Sequence, residues 1–157
     1  MNNNDIHEKW MKYALGEAIK AYDNDEVPVG AIIVKENKII AKGYNQKELL
    51  KDATAHAEII AITSASSYLE NWRLSDCTMY VTMEPCAMCS GAIINSRIKS
   101  VYFGAYDKGS GCCGSLYQIC QDPRMNHQTT SRGGILEEES KDLLQDFFKL
   151  KRKPKTK

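Results

Sequence analysis

The chain has 157 residues, 43% of them hydrophobic and 26% charged, a composition that supports one packed domain and excludes a disordered, collagenous or fibrous protein. The net charge of +1 is uneven: Lys149 to Lys157 hold five lysines and one arginine with no acid, which leaves −5 on residues 1–148. A mildly acidic body with a basic end suits contact with a polyanion, and a solvated, frayed terminus is the plainer reading.

The N-terminal Met-Asn-Asn-Asn-Asp has no basic start and no apolar stretch behind it, so no signal or transit peptide is expected and the reading is a cytoplasmic protein. Residues 5–23 repeat Ile6, Trp10, Tyr13, Ala14, Ala18, Ala21 and Tyr22 at three- and four-residue spacing, which predicts an amphipathic helix with Asp5 and Glu8 as its capping box. Val27 to Val34 is β-branched and apolar and predicts a buried strand. The chain then turns at 36–38, and Lys38 to Gly43 returns as the second strand of a hairpin. An apolar-rich helix follows over 56–67, then a short strand from Thr78 to Thr82. Pro85 opens a helix running to about Asn95, and Lys99 to Gly104 is a further strand. The last helix, 137–149, has three glutamates in its first turn and lysines at its end, as the helix dipole favours. Strands alternating with helices predict one layered α/β domain over residues 1–148, with a basic tail at 149–157. Apolar runs such as Ala31–Val34 and Ala92–Ile94 fall far short of the ~20 residues a membrane helix needs, so no membrane partner is expected.

Six cysteines stand at positions 77, 86, 89, 112, 113 and 120. In a reducing compartment such residues are buried thiols or metal ligands rather than a disulfide framework. The informative groups are His56-Ala57-Glu58 and Pro85-Cys86-Ala87-Met88-Cys89, each at a predicted helix start. Cys86 and Cys89 share one side of a turn, and the helix N-terminus is expected to lower both thiol pKa values. One histidine and two thiolates leave a fourth tetrahedral position for water. That is the composition of a catalytic zinc site, with one Zn²⁺ per chain held by His56, Cys86 and Cys89. The two thiolates offset the charge of zinc, and a carboxylate beside the bound water compensates by taking its proton. Glu58, two residues from His56, is placed for this without being a ligand. A redox dithiol is the alternative for an isolated Cys-x-x-Cys, but it needs neither His56 nor Glu58. A four-cysteine zinc site suits the adjacent Cys112 and Cys113 poorly. Cys77, Cys112, Cys113 and Cys120 are read as free cysteines of core or loop, and His7 as structural or surface.

His-Ala-Glu with Pro-Cys-x-x-Cys resembles the signature of the zinc-dependent cytidine and nucleobase deaminases. Glu26–Ala31, Ala55–Ile59, Trp72–Leu74, Tyr80–Cys86 and Phe103–Ala105 look like the bacterial tRNA-specific adenosine deaminases, as do Gly114–Leu116, Asn126-His127, Gly134–Leu136 and Phe147-Phe148. The resemblance runs from about residue 8 to residue 153. It implies a three-layer α/β/α cytidine-deaminase-like fold around a five-stranded mixed sheet, and a homodimer. It implies hydrolytic deamination of the wobble adenosine of a tRNA anticodon stem-loop to inosine. In that chemistry a zinc-activated hydroxide attacks C6 of a flipped-out adenine, and Glu58 shuttles protons to N1 and then to the departing ammonia. By the same resemblance Val29 and Asn45 line the base pocket, with Asn45 hydrogen-bonding the purine. Asp107 meets a neighbouring anticodon nucleotide, and Phe147, Phe148, Lys151 and Arg152 face the anticodon stem.

Plain structural roles compete at three of these positions: Asn45 ending a strand, Asp107 capping a loop, and Phe147 packing its helix, which is the favoured reading for Phe147. Two departures bear on the RNA contacts and not on zinc. Gly109 stands where the family carries a lysine after Asp107, and Lys151 stands where it carries an arginine, with loss of a bidentate phosphate contact. The competing function is a zinc deaminase of a free base or nucleoside of the cytosine or guanine type, which needs no basic tail. A zinc-stabilised RNA-binding module without catalysis would need no Glu58.

Overall fold

The computed structural model describes residues 2–152. Its sheet is organised from a tight hairpin. Glu36 and Asn37 both have positive φ, 50° and 59°, the turn conformation that matches the twist of the flanking strands. They join β1 (Gly30–Lys35) to β2 (Lys38–Tyr44) in antiparallel pairing. β1 also pairs antiparallel with β3 (Thr78–Met83), which runs parallel to β4 (Ser100–Ala105). β4 in turn takes a short parallel edge strand, β5 (Thr130–Arg132). The order β2-β1-β3-β4-β5 is the five-stranded mixed sheet that the resemblance implied.

Among the described residues five helices surround it: α1 (Asn3–Asp23), α2 (Lys47–Leu50), α3 (Ala57–Leu69), α4 (Ala87–Asn95) and α5 (Glu137–Arg152). Strand side chains alternate between two cores. Ala31 and Ile33, in register with Val81 and Met79, face α3 and α4 and pack with Ala57, Ala61, Ala65 and Ile93. Ile32 and Tyr80, also in register, face α1 and pack with Trp10, Met11 and Ala14. Because β1 and β3 are covered on both faces, they read as continuous apolar runs rather than as alternating ones. The small residues Ala57, Ala61 and Ala65 let α3 lie close on the sheet. A Cβ on Gly43 of β2 would stand 2.5 Å from the Ala57 carbonyl oxygen and 2.9 Å from the Ala61 nitrogen.

Several boundaries differ from those expected. α1 starts two residues early, because Asn2 is its N-cap. The Asn2 side chain accepts from the Asp5 N–H at 2.9 Å and the Asp5 carboxylate accepts from the Asn2 N–H. Asp5 is therefore the far half of the capping box and Glu8 has no part in it. β1 begins at Gly30 rather than Val27, since the Val29 N–H turns back onto the Val27 carbonyl at 2.8 Å around Pro28, which has no N–H for a ladder. α5 continues past its expected end at 149 to Arg152, so the basic segment begins inside a helix. Its remaining residues, 153–157, lie outside the described residues. No helix of the described residues is long and apolar enough to cross a membrane.

Candidate active site

Two helices begin at one place beside the end of β3. His56 is the N-cap residue of α3 and Cys86 that of α4, and neither side chain caps its own helix. Both are left free to face each other. The Nδ1 of His56 lies 3.7 Å from Cys86 Sγ and 3.4 Å from Cys89 Sγ, and all three donor atoms fall within 4.8 Å of one another. A tetrahedral zinc with Zn–S of about 2.3 Å and Zn–N of about 2.0–2.1 Å separates sulfur from nitrogen by about 3.6 Å. The two observed spacings bracket that value. The donor set fits zinc with one position left for water.

The thiols do not behave alike. Cys86 is lowered to about 4, first because the Cys89 thiol donates to it and then because of His56. Cys89 is raised, because it gives that hydrogen bond and is buried. The expectation that the helix start lowers both is therefore corrected. Cys86 stands at the N-terminus and is partly exposed, whereas Cys89 lies one turn inside and keeps a proton that a metal must displace. The hydrogen bond with Cys86 raises the His56 imidazole above its ordinary value. Burial raises the Glu58 carboxyl.

Val29, Asn45, His56, Glu58, Cys86 and Asp107 line one cavity of about 210 Å³, together with Lys47, Met83, Glu84 and Ser110 among others. The Asn45 side chain ends β2, as its plain reading has it, and donates weakly to the Val27 carbonyl at 3.4 Å. Its Oδ1 is buried and has no partner among the described residues. Asp107 is a loop cap as well as a cavity residue. Its Oδ1 accepts from the N–H groups of Gly109 and Ser110, and its Oδ2 from the Ser110 hydroxyl. Gly109 thus serves the loop through its backbone alone.

Phe148 and Lys151 do not line the cavity. Phe148 is exposed on α5, and Lys151 Nζ lies 2.7 Å from Asp25 Oδ1 and over the Phe147 ring. The Arg152 side chain lies outside the described residues. Phe147 is buried edge-on against Tyr22, which is the packing role favoured for it. Cys77, Cys112, Cys113 and Cys120 are free and buried. His7 is structural, with Nδ1 2.8 Å from the Tyr80 hydroxyl and its ring stacked on Tyr102.

Two functional neighbours escaped the sequence reading. Glu26 is buried and accepts from the N–H groups of Glu48 (3.0 Å) and Leu49 (2.7 Å), which pins the single turn of α2 beside Asn45. Glu84 is buried beneath the loop that carries Asp107. The available signal was the same in both: an acid set immediately beside valine, methionine and proline, where only a satisfied carboxylate survives burial.

The sequence matches the MafB19-like deaminase family over residues 5–152. The tRNA-specific adenosine deaminase of Bacillus subtilis is 45% identical over 148 residues, spanning 94% of this chain and 92% of that protein. That of Aquifex aeolicus is 49% identical over 142 residues, spanning 90% and 93%. A solved chain from biochemical and structural studies of A-to-I editing by tRNA:A34 deaminases at the wobble position of transfer RNA superposes with a TM-score of 0.83 at 40% identity, covering 87% of this chain and 99% of that one. A guanine deaminase from Nitrosomonas europaea superposes at 0.77 with 25% identity, covering 89% and 83%.

Proposed function

The chain belongs to the MafB19-like deaminase family and, within it, to the tRNA-specific adenosine deaminases, and on that footing we propose that it hydrolyses adenosine to inosine at the wobble position of a tRNA anticodon. The observation that carries this reading is one cavity lined by zinc-fitting donors, a buried carboxylate and a buried, unpartnered amide oxygen.

Zinc held by His56 Nδ1, Cys86 Sγ and Cys89 Sγ would supply the Lewis acid that activates water near neutral pH. Glu58 takes a proton from the attacking water, delivers it to purine N1, and carries the second proton to the departing amine. That route balances: water gives its oxygen to C6, and both of its protons pass to the purine and its leaving group. Val29 offers an apolar side to the base. The Asn45 Oδ1 awaits an N–H or O–H of the bound nucleoside. A buried acceptor without a partner costs about 1–3 kcal/mol, and binding removes that cost. An anticodon loop presents its wobble base already unpaired, so flipping it out is cheaper than extracting a paired base.

Asp107 contacts the neighbouring nucleotide from the cavity lining, and the basic residues from Lys149 onward attract phosphates that the acidic body would repel. Lys151 is free to serve, because its pairing with Asp25 is an exposed one of small worth. We further propose that the enzyme works as a homodimer in the cytoplasm. Support for the dimer is the groove on the outer side of α3, lined by Leu50, Ile59, Ile60 and Tyr68, with Leu49 exposed beside Leu50.

Incubation with total tRNA, followed by nucleoside analysis, tests the activity. Inosine should appear in step with ammonia. Ammonia from free guanine or cytosine, with no inosine in tRNA, would instead favour the free-base reading to which the guanine deaminase likeness lends weight.

A further inference from the structure

Part of the cavity is walled by the segment from Asp107 to Ser115, which belongs to none of the named helices or strands. One buried side chain organises it. Glu84 Oε1 accepts from the Asp107 N–H at 3.0 Å and from the Ser115 hydroxyl, and Oε2 accepts from the N–H groups of Cys113 at 3.0 Å and Ser115 at 2.9 Å. Three of these four partners can only donate, and a carboxylate accepting at both oxygens serves them all. The chain passes directly over this group. A Cβ on Gly111 would overlap the Glu84 carboxyl carbon and stand 2.5 Å from the Asp107 carbonyl oxygen. The turn is closed by the Gly111 N–H on the Asp107 carbonyl and the Cys112 N–H on the Pro85 carbonyl, both at 2.8 Å. With the Asp107 N–H fixed on Glu84, the Asp107 carboxylate gathers the Gly109 and Ser110 N–H groups, and both Asp107 and Ser110 are set in the cavity lining. The Glu84 carboxylate is engaged by the loop at both oxygens, so its role is architectural to the reaction rather than chemical.

We propose that Glu84 is a positioning residue for RNA binding: it holds the Asp107–Ser115 segment, and through it Asp107 and Ser110, in the register that receives the nucleotide beside the reacting adenosine. This rests on the reading of Asp107 as an RNA contact.

Glu84→Gln is the informative variant. Glutamine keeps the shape but has one acceptor oxygen. Its best orientation places that oxygen where the Cys113 and Ser115 N–H groups converge, and its nitrogen where the Ser115 hydroxyl can accept. The Asp107 N–H is then left facing an N–H, so the change releases Asp107 selectively. With an anticodon stem-loop as substrate, KM should rise about tenfold, the equivalent of about 1.4 kcal/mol and the size of one lost hydrogen bond. kcat and zinc content should stay within twofold of wild type. In a double-mutant cycle, Asp107→Ala should cost little more in the Glu84→Gln background than Glu84→Gln costs alone. Should Glu84→Gln fail to fold, Ser115→Ala removes only the hydroxyl bond, and a smaller rise in KM at constant kcat decides in the same way. Unchanged KM, loss of zinc, a fall in kcat without a rise in KM, or simple additivity with Asp107→Ala would overturn the proposal. Wild-type kinetics for Asp107→Ala alone would overturn the RNA-contact reading of Asp107, and the proposal with it.

Discussion

Gly43→Ala tests how the sheet places the chemistry. The added Cβ would lie 2.5 Å from the Ala57 carbonyl oxygen, against an ordinary contact of 3.4 Å or more, so strand and helix must part by about 0.9 Å, the difference of the two. The two nearest neighbours of the new methyl, Ala57 O and Ala61 N, are backbone atoms of α3, and the third, Ile60 Cβ at 3.2 Å, is fixed to that backbone, so no rotamer change relieves the overlap. Overpacking of this kind costs about 1–3 kcal/mol. At about 2–4 °C per kcal/mol for a domain of this size, Tm should fall by about 2–12 °C. His56 and Glu58 stand at the same helix start, and a misplacement near 1 Å at reacting groups costs about 100-fold in rate. Thermal unfolding of the zinc-loaded protein and ammonia release at saturating substrate give the two readouts. Gly16→Ala on α1, where an added Cβ meets nothing within 4 Å, is the control and should be neutral or slightly stabilising. Wild-type Tm and turnover for Gly43→Ala would refute the view that the close approach of α3 to β2 sets the site.

Glu58→Gln should keep its zinc and its fold while turnover falls about 10²–10⁴-fold, the usual worth of a positioned proton carrier; substantial residual ammonia release would mean another base does the work. Freshly purified protein should carry about one zinc per chain. Reloading chelated protein at pH 7 should release about one proton from Cys89, which its hydrogen bond to Cys86 and then burial hold up, while the lowered Cys86 contributes little; a count near zero in an indicator titration would show Cys89 ionised without metal. Burial, and then the charge of Arg132, holds His7 below 6.5. The unfolded chain therefore binds that proton more readily, and stability falls as pH drops from about 6.5 through the lowered folded value. Urea unfolding at pH 7.5 and 5.5 should show a larger loss for wild type than for His7→Gln, and equal losses would contradict this.

What the sequence discloses here depends on how local each signal is. α3 and α4 were legible because His56 and Cys86 mark their starts and an apolar run follows each. The hairpin was legible because its turn is short and its strands are rich in isoleucine and valine. β5 was not, because Thr130-Ser131-Arg132 has no apolar pattern and is a strand only through pairing with Ser100–Tyr102. α2 was not, because a single turn carries no period and is held from outside by Glu26. The proposed zinc donors and Glu58 were suggested by spacing, whereas the support around them is long-range. Glu84 meets Asp107 and Ser115 across 23 and 31 residues, beyond the reach of any local pattern. The uneven behaviour of Cys86 and Cys89 likewise depends first on the hydrogen bond between them and then on burial, neither of which their shared helix start reveals.

The most direct measurement compares initial rates of ammonia release from an anticodon stem-loop carrying adenosine at the wobble position with those from free adenosine, cytidine, cytosine and guanine at equal concentration. The stem-loop should turn over fastest, with inosine formed at that one position. Faster release from any free base or nucleoside would contradict the tRNA reading and give the cavity to a small-molecule substrate.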